Sequence, residues 1–169
     1  MRLLFHDDAR LAAFQRFDCA MQNVVAFEPV AAFRDCFAKN AWMRGVKCFP
    51  YALGAVPGRV RMAYDPADSG GTHVDASAES GNVEMRTLDS FDFQNIDFIK
   101  IDCEGFEHHV LHGAVETLKR CKPCVIVEQK PHKLGPNFGI TGTPAVTLLT
   151  SLGAKIRTEI SGDYIMSWD

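Results

Sequence analysis

The feature that most constrains this chain is an apolar strand that leads directly into an acidic corner and then into a helix. The strand is predicted over residues 96–101, and the corner that follows contains Asp102, Glu104, Gly105 and Glu107. In a parallel α/β sheet such a corner lies at the carboxyl edge, where ligands bind. Three carboxylates at one corner are costly unless they hold a ligand or move protons. The corner therefore predicts a functional site at the edge of an α/β sheet.

Strands and helices alternate along most of the chain, which is typical of the α/β class. Apolar runs predict strands at residues 24–27, 46–53, 83–86, 96–101 and 123–127. Helical spacing predicts helices at residues 8–17, 29–41, 106–121 and 143–152, with a short helical link at 87–91. Two strands follow in succession at 154–160 and 164–168. This order predicts a Rossmann-like, doubly wound, mostly parallel sheet with an antiparallel C-terminal hairpin, in a single domain spanning residues 1–169.

Two segments between these elements are rich in turn residues. Residues 57–81 predict short strands or a hairpin at 59–64 and 72–74, separated by a flexible loop at 68–71. Residues 131–142 contain two prolines and three glycines and predict a loop. The loops at residues 65–81 and 131–142 follow strands on the ligand side of the sheet, so we expect them to frame the substrate pocket.

The bulk composition excludes several classes of function. With 169 residues, of which 47% are hydrophobic, the chain can bury a single core and is not a disordered segment. A net charge of -3 gives no electrostatic reason to expect nucleic acid or an anionic membrane as a partner, and no apolar run reaches transmembrane length. The six cysteines are scattered except for Cys121 and Cys124, which indicates reduced thiols in a cytoplasmic protein. One such pair is weak support for zinc, so no metal site is predicted.

Glu28 ends an early strand and, with Pro29, opens a helix. In nucleoside-binding α/β folds, an acid at this position accepts hydrogen bonds from ribose hydroxyls. A carboxylate near a helix N-terminus is also favoured by the helix dipole alone. The residues by themselves leave both interpretations of Glu28 open.

The acids that follow the later strands also allow more than one role each. Asp102 could bind a ligand amine or accept a proton from a hydroxyl nucleophile. Glu104 and Glu107 could serve the same site or compensate the helix N-terminus. Because Glu107 falls inside the apolar arc of its helix, we expect it to face the sheet edge rather than bulk water. Glu128 ends the next strand and should stand beside Asp102, either in the substrate pocket or as the ion-pair partner of a nearby lysine.

Three histidines on the same predicted helix, His108, His109 and His112, have a spacing that could bind a metal ion. His108 and His112 lie opposite the apolar arc, a position that is typical of a solvated helix face. We therefore predict an exposed face and assign no metal to it.

With these positions in place, the chain resembles the FkbM family of S-adenosylmethionine-dependent methyltransferases. The resemblance covers residues 24–168, and its most specific part is the Lys-Ile-Asp-Cys-Glu-Gly-Phe-Glu motif that ends at Glu107. The matching segments are Val25-Ala-Phe-Glu-Pro29, Tyr51-Ala-Leu-Gly54, Leu88-Asp-Ser-Phe91, Ile99-Lys-Ile-Asp-Cys-Glu-Gly-Phe-Glu107, Val110-Leu-His-Gly-Ala114 and Val125-Ile-Val-Glu128. The closing residues 161–168 are similar to the endings of phage-type members.

The resemblance implies both a cofactor and a reaction. It implies that S-adenosylmethionine binds beside Glu28, Ala52 and Asp102, with Glu28 on the ribose. It also implies methyl transfer by direct displacement, usually to a hydroxyl oxygen of a sugar or another small molecule, in which much of the catalysis comes from holding the reactants together. Asp102 or Glu104 could take the hydroxyl proton. We also assign Glu107 and Glu128 to the substrate pocket.

The chain departs from the family pattern upstream of Glu28. Family members carry a strand and a glycine-rich loop there, whereas the first glycine of this chain is Gly45 and no Asp-x-Gly-x-x-x-Gly sequence precedes Glu28. Residues 1–23 are therefore interpreted as a degenerate segment whose first strand is reduced or missing. A missing first strand would leave two strand edges uncovered, which makes a homo-oligomer plausible.

Two functional hypotheses follow from these observations. The acidic corner favours an active methyltransferase with an altered cofactor loop. The absent glycines favour a degenerate relative that keeps the fold and acts as a binding or interaction module. A nicotinamide-dependent oxidoreductase would also use an acid at position 28, but the chain has no G-x-G-x-x-G sequence.

Overall fold

The fold is known from a computed structural model, which describes residues 24–40, 46–65, 68–75, 80–129 and 138–168. The helix predicted at residues 8–17 and the degenerate segment predicted at residues 1–23 lie outside this part of the chain. The described residues form eleven β-strands, four α-helices and a short 3₁₀-helix. Within them, no helix has the length and apolar character that crossing a membrane requires.

Strands and helices alternate in parts of the described chain, but six strands follow one another between residues 47 and 86. The strands are β1 (Val25–Phe27), β2 (Lys47–Phe49), β3 (Ala52–Leu53), β4 (Gly58–Val60), β5 (Met62–Asp65), β6 (Asp68–Val74), β7 (Val83–Arg86), β8 (Phe98–Ile101), β9 (Cys124–Glu128), β10 (Lys155–Ile160) and β11 (Asp163–Ser167). The helices are α1 (Ala31–Lys39), α2 (Glu107–His112), α3 (Val115–Cys121) and α4 (Pro144–Ser151), and the 3₁₀-helix is Asp89–Phe91.

The largest sheet has four strands in the order β10–β11–β9–β8. β8 and β9 run parallel, and β11 and β10 continue the sheet in antiparallel fashion. The predicted C-terminal hairpin is confirmed, and its turn residues Ser161 and Gly162 have φ angles of 54° and 91°. Two-residue hairpin turns need this left-handed conformation. The hairpin forms one edge of the sheet, and β8 with its acidic corner lies at the other edge of the described strands.

The remaining strands form three smaller ladders. β1 pairs with β2 in parallel, β3 and β4 flank β7, and β5 pairs with β6. The α/β class is confirmed, but the described sheets are mixed rather than mostly parallel. One reason is that only two residues join β5 to β6, and so short a connection permits only antiparallel pairing.

Two predicted segments between residues 46 and 71 differ from the structure. The strand predicted at 46–53 divides into β2 and β3, which belong to different ladders. Pro50 lies between them and has no N–H to donate to a continuous ladder. The flexible loop predicted at 68–71 is wrong, because these residues are the first part of β6 and belong to the hairpin with β5.

The helix predicted at residues 106–121 also divides, into α2 and α3, at Gly113. A side chain on Gly113 would collide with the carbonyl oxygen of Gly54 at the end of β3, so this close approach requires glycine. The second helix then begins with a cap from a distant element. The carboxylate of Asp89 accepts hydrogen bonds from the backbone N–H groups of Glu116 at 3.1 Å and Thr117 at 2.8 Å.

The core lies on the face of the large sheet that α2, α3 and α4 cover. Alternate residues of β8, β9 and β11 point into it, as the two-residue period of strands requires. Each of these is at most 3% exposed: Ile99, Ile101, Val125, Val127 and Met166. The helices add fully buried leucines to the same cluster: Leu111, Leu118 and Leu149.

An aromatic cluster joins the β1–β2 ladder to the 3₁₀-helix. The ring of Phe27 is fully buried, with its centroid 5.1 Å from that of Phe49 and 4.9 Å from that of Phe91. Tyr51 and Phe93 extend the cluster at either side. Since Phe27 directly precedes Glu28, this packing fixes the position of the strand end that carries the acid.

Replacement of Asp89 by alanine should lower the free energy of unfolding by about 1 kcal/mol, because two N–H groups at the start of α3 lose their acceptor. Urea denaturation measures the change. Asp92→Ala is the matched control: the Asp92 side chain is 83% exposed in the same segment, and its loss should change stability by less than about 0.5 kcal/mol. Equal losses in the two variants would contradict the capping role of Asp89.

Candidate functional site

A cavity of about 250 Å³ opens at the carboxyl ends of β1 and β8. Its wall includes every residue predicted from the sequence to be catalytic or cofactor-binding: Glu28, Ala52, Asp102 and Glu104. The β5–β6 hairpin supplies another part of the wall. Apolar and thiol groups complete it, among them Phe33, Leu53, Cys103 and Phe106. The fold thus brings the two predicted acidic positions, one early and one late in the chain, to the same space.

Glu28 occupies the corner between β1 and α1. Its Oε1 atom accepts a hydrogen bond from the backbone N–H of Val30 at 2.8 Å. The Arg34 guanidinium donates to the carbonyl oxygens of Glu28 and Pro29 at 2.9 and 2.8 Å, which fixes the corner from the helix side. The carboxylate therefore supports the beginning of α1 and also lines the cavity. The sequence left two roles open for Glu28, ribose binding and support of the helix N-terminus. One side chain can serve both.

The acidic corner between β8 and α2 has a strained backbone. Glu104 has a φ of 56° and Gly105 a φ of 105°, so two successive residues adopt positive φ angles. The Glu107 carboxylate holds this conformation, because its Oε1 accepts hydrogen bonds from the backbone N–H groups of Cys103 at 2.8 Å and Gly105 at 3.1 Å. The result is a fixed corner that presents Asp102 and Glu104 to the cavity.

Glu107 itself is 1% exposed, which confirms the prediction that it faces away from bulk water. Gln129, equally buried, donates from Nε2 to Glu107 Oε2 at 3.5 Å and accepts from the backbone N–H of Ala145 at 3.0 Å. Burial raises the pKa of Glu107 to about 6, against the opposing effect of its N–H donors. Glu107 is not among the described residues that line the cavity, and its predicted contact with substrate stays a prediction. Its carboxylate instead connects the corner, the end of β9 and the start of α4.

Three carboxylates gather at this edge of the sheet: Asp102, Glu104 and Glu128. One oxygen from each lies within 4.8 Å of the other two, a spacing that would suit the ammonium group of a ligand or a metal ion. The prediction that Glu128 stands beside Asp102 is confirmed, and its role in the substrate pocket stays a prediction. Lys100 Nζ lies 3.2 Å from Asp102 Oδ2 and balances part of the negative charge. The remaining charge favours positively charged ligand groups.

The histidines of α2 differ from the solvated face that the sequence predicts. His108 and His109 are half-buried, and only His112 among the three is exposed. The aromatic rings of Phe106 and Phe138 cover this part of the helix: their centroids lie 4.3 and 6.0 Å from that of His109. Burial lowers the pKa of His108 to about 4 and also lowers that of His109, with further lowering by the neighbouring imidazoles. Among the described residues, the Nδ1 atoms of His108 and His109 have no hydrogen-bond partner.

Two residues of the site were not identified from the sequence. Gln129 follows β9 without any motif, and only the position of α4 reveals its role. His73 lies on β6 and lines the cavity, and its Nδ1 is 2.8 Å from the carbonyl oxygen of Gly71. The sequence predicts that the segment around His73 frames the pocket, but no local pattern identifies His73 as one of the residues that line it.

Comparison with known proteins extends these observations. A family model described as the methyltransferase FkbM domain matches residues 7–157. The crystal structure of Methyltransferase FkbM from Methylobacillus flagellatus KT is similar to this chain with a TM-score of 0.51 and 16% sequence identity, covering 86% of this chain and 36% of that chain. At this identity the likeness concerns the fold, and the chain spans about a third of the length of that protein. No curated protein matches the chain.

Glu107→Ala should destabilise the fold by about 2–3 kcal/mol, because the buried N–H groups of Cys103 and Gly105 and the amide of Gln129 lose a charged acceptor. The free energy of unfolding in urea at neutral pH measures this loss. Glu116→Ala is the matched control, since the Glu116 side chain is 69% exposed and its removal should change stability by less than about 0.5 kcal/mol. A loss at Glu107 no larger than at Glu116 would show that the corner does not depend on the buried carboxylate.

Protonation of His108 should destabilise the native state, because its pKa lies near 4 in the folded chain, below the ordinary value of 6.5. Above pH 6.5 the ring is neutral in both states, and between 6.5 and 4 only the unfolded chain takes up the proton. The unfolding free energy of the wild type relative to His108→Asn should therefore be constant above pH 6.5 and decrease as the pH falls towards 4. Glu107, whose raised pKa has the opposite effect on the pH dependence of stability, is present in both proteins. Its contribution therefore cancels in this difference.

Thr150→Ala provides the control for this pH series, because Thr150 is exposed on α4 and has no titratable group. Its difference from the wild type should not vary across the range. A His108→Asn difference that is equally flat would contradict the assignment of a buried, neutral His108.

Proposed function

Because the chain belongs to the FkbM methyltransferase family, we propose that it binds S-adenosylmethionine in the cavity and transfers the methyl group to a hydroxyl oxygen of a sugar or another small molecule. Family membership supports methyltransferase function, and we infer a doubly wound sheet around the cavity. The observation that carries it is that Glu28 and Asp102 line one cavity.

The residues of the cavity fit this cofactor. Glu28 is half-buried, and while its Oε1 holds α1, Oε2 would accept hydrogen bonds from ribose hydroxyls. Ala52 and Phe33 contribute apolar wall suited to a purine ring. Asp102 and Glu104 place negative charge where a sulfonium or an ammonium group would be stabilised.

When bound, the cofactor supplies an electrophilic methyl group. The residues of the chain would hold the nucleoside at Glu28, keep the acceptor oxygen in line with the methyl group and receive the hydroxyl proton. Positioning and charge stabilisation supply most of the catalysis in such a displacement. The family resemblance makes Asp102 and Glu104 candidates to receive the proton, and the proposal assigns Glu107 and Glu128 to the substrate pocket.

One observation favours a second function. Residues 1–27 contain no glycine, whereas a glycine-rich loop would supply backbone donors and space beside the cofactor. A degenerate relative would keep the cavity and bind a nucleoside or a protein partner without methyl transfer.

A cytoplasmic location and a homo-oligomeric state complete the proposal. The five cysteines that the structure describes are free thiols, which favours a reducing compartment. The prediction that neither nucleic acid nor a membrane is a partner still rests on the net charge of -3.

Titration calorimetry with S-adenosylmethionine and S-adenosylhomocysteine tests the cofactor. Both should bind, and Glu28→Ala should weaken binding at least about tenfold, because a hydrogen bond to a charged group contributes about 1.5–3 kcal/mol. Asp35→Ala is the matched control: Asp35 is an exposed carboxylate on α1, and its loss should leave the affinity unchanged.

Two outcomes would contradict an active methyltransferase in different ways. Absence of both heat and a thermal shift with either nucleoside would exclude the cofactor. Binding without transfer of labelled methyl groups to any hydroxyl in a panel of sugars and glycosides would favour the degenerate relative.

A further inference from the structure

Among the described residues that line the cavity, His73 is the only side chain with a basic nitrogen. Its backbone is held in the β5–β6 hairpin opposite Ala63. The 2.8 Å contact joins Nδ1 to the carbonyl oxygen of Gly71, and a carbonyl oxygen can only accept a hydrogen bond. Nδ1 therefore carries the hydrogen. In the neutral ring, Nε2 is then the nitrogen with the available lone pair.

The other titratable groups of the cavity already have different tasks. Asp102 forms an ion pair with Lys100 at 3.2 Å. Cys103 is a neutral thiol, because burial raises its pKa to about 11. Glu28 supports the start of α1, and Glu104 belongs to the acidic cluster. A base with a protonation range near neutrality is the most efficient proton acceptor, and histidine is the residue that most often serves.

We propose that His73, rather than Asp102 or Glu104, is the general base of the methyl transfer, a role that rests on the proposed function. The acceptor oxygen attacks the methyl carbon and forms the new carbon–oxygen bond. The carbon–sulfur bond breaks, with its electron pair passing to sulfur, and the hydroxyl proton passes to Nε2 of His73. The products are a methyl ether, a neutral thioether and an imidazolium.

The charge of the cavity supports this assignment. The reaction removes the positive charge of the sulfonium and creates one on His73, so the total charge in the cavity does not change. The carboxylates of Asp102 and Glu104 would stabilise the positive charge before and after the transfer without a new counterion. The hydrogen bond to Gly71 keeps Nε2 as the proton acceptor, so no change of tautomer is needed.

The test uses the full chain labelled with ¹⁵N-histidine and bound either to S-adenosylmethionine or to S-adenosylhomocysteine. The two ligands differ at the reacting centre in the methyl group and the sulfonium charge. The Nε2 resonance of His73 should differ between the two complexes, because only S-adenosylmethionine carries a positive charge beside this nitrogen. His73→Gln identifies the signal, and the exposed His112, whose resonances should be the same in both complexes, is the internal control. The nitrogen shifts should also show the hydrogen on Nδ1.

The outcomes separate the inference from the proposed function. If neither ligand binds, the proposed function fails and the role of His73 fails with it. If both bind and the Nε2 resonance of His73 is the same in the two complexes, or His73 carries its hydrogen on Nε2, only the role of His73 is overturned. With an acceptor from the sugar panel, His73→Gln should lower kcat about 10²–10³-fold while the affinity for S-adenosylhomocysteine changes by less than about twofold. A parallel loss of affinity would instead indicate a structural role.

Discussion

The carboxylate of Glu107 is the interaction on which the rest of the structure depends. It accepts hydrogen bonds from the N–H groups of Cys103 and Gly105, and Gln129 extends the link to Ala145 at the start of α4. One buried acid therefore fixes the corner after β8 relative to the end of β9 and to a helix far along the chain. Burial of the charge is costly, as its raised pKa shows, and the three donors offset that cost.

Local patterns in the sequence predicted most elements of the fold, and they failed where a distant contact decides the outcome. The apolar arc continues across residues 106–121, so periodicity alone predicts one helix. The break at Gly113 depends on the close approach of Gly54 and on the cap that Asp89 provides, and neither contact is local. The division of the strand at Pro50 is different, because the missing N–H of proline is visible in the sequence itself.

The same distinction separates the predicted from the missed residues of the site. Glu28 and Asp102 each directly follow a strand, and Glu104 lies two residues further along the same corner. Because the carboxyl ends of parallel strands meet at one edge of a sheet, their common cavity could be expected from the order of the elements. His73 is part of a hairpin whose position over the cavity is set by tertiary packing. Gln129 becomes important only because α4 places a backbone N–H beside it. Motif and spacing therefore predict the acids but not the groups that orient or complement them.

The strain of the corner links stability to the chemistry of the cavity. A left-handed φ at Glu104 costs on the order of 1–2 kcal/mol for a residue with a side chain. Glycine at this position would relieve the backbone but would remove a carboxylate from the acidic cluster. The corner keeps the carboxylate because Glu107 stabilises the backbone on both sides of it, at Cys103 and Gly105. A buried acid outside the described cavity wall thus allows a second acid to line the cavity, so a change at Glu107 should alter the site through the backbone of the corner.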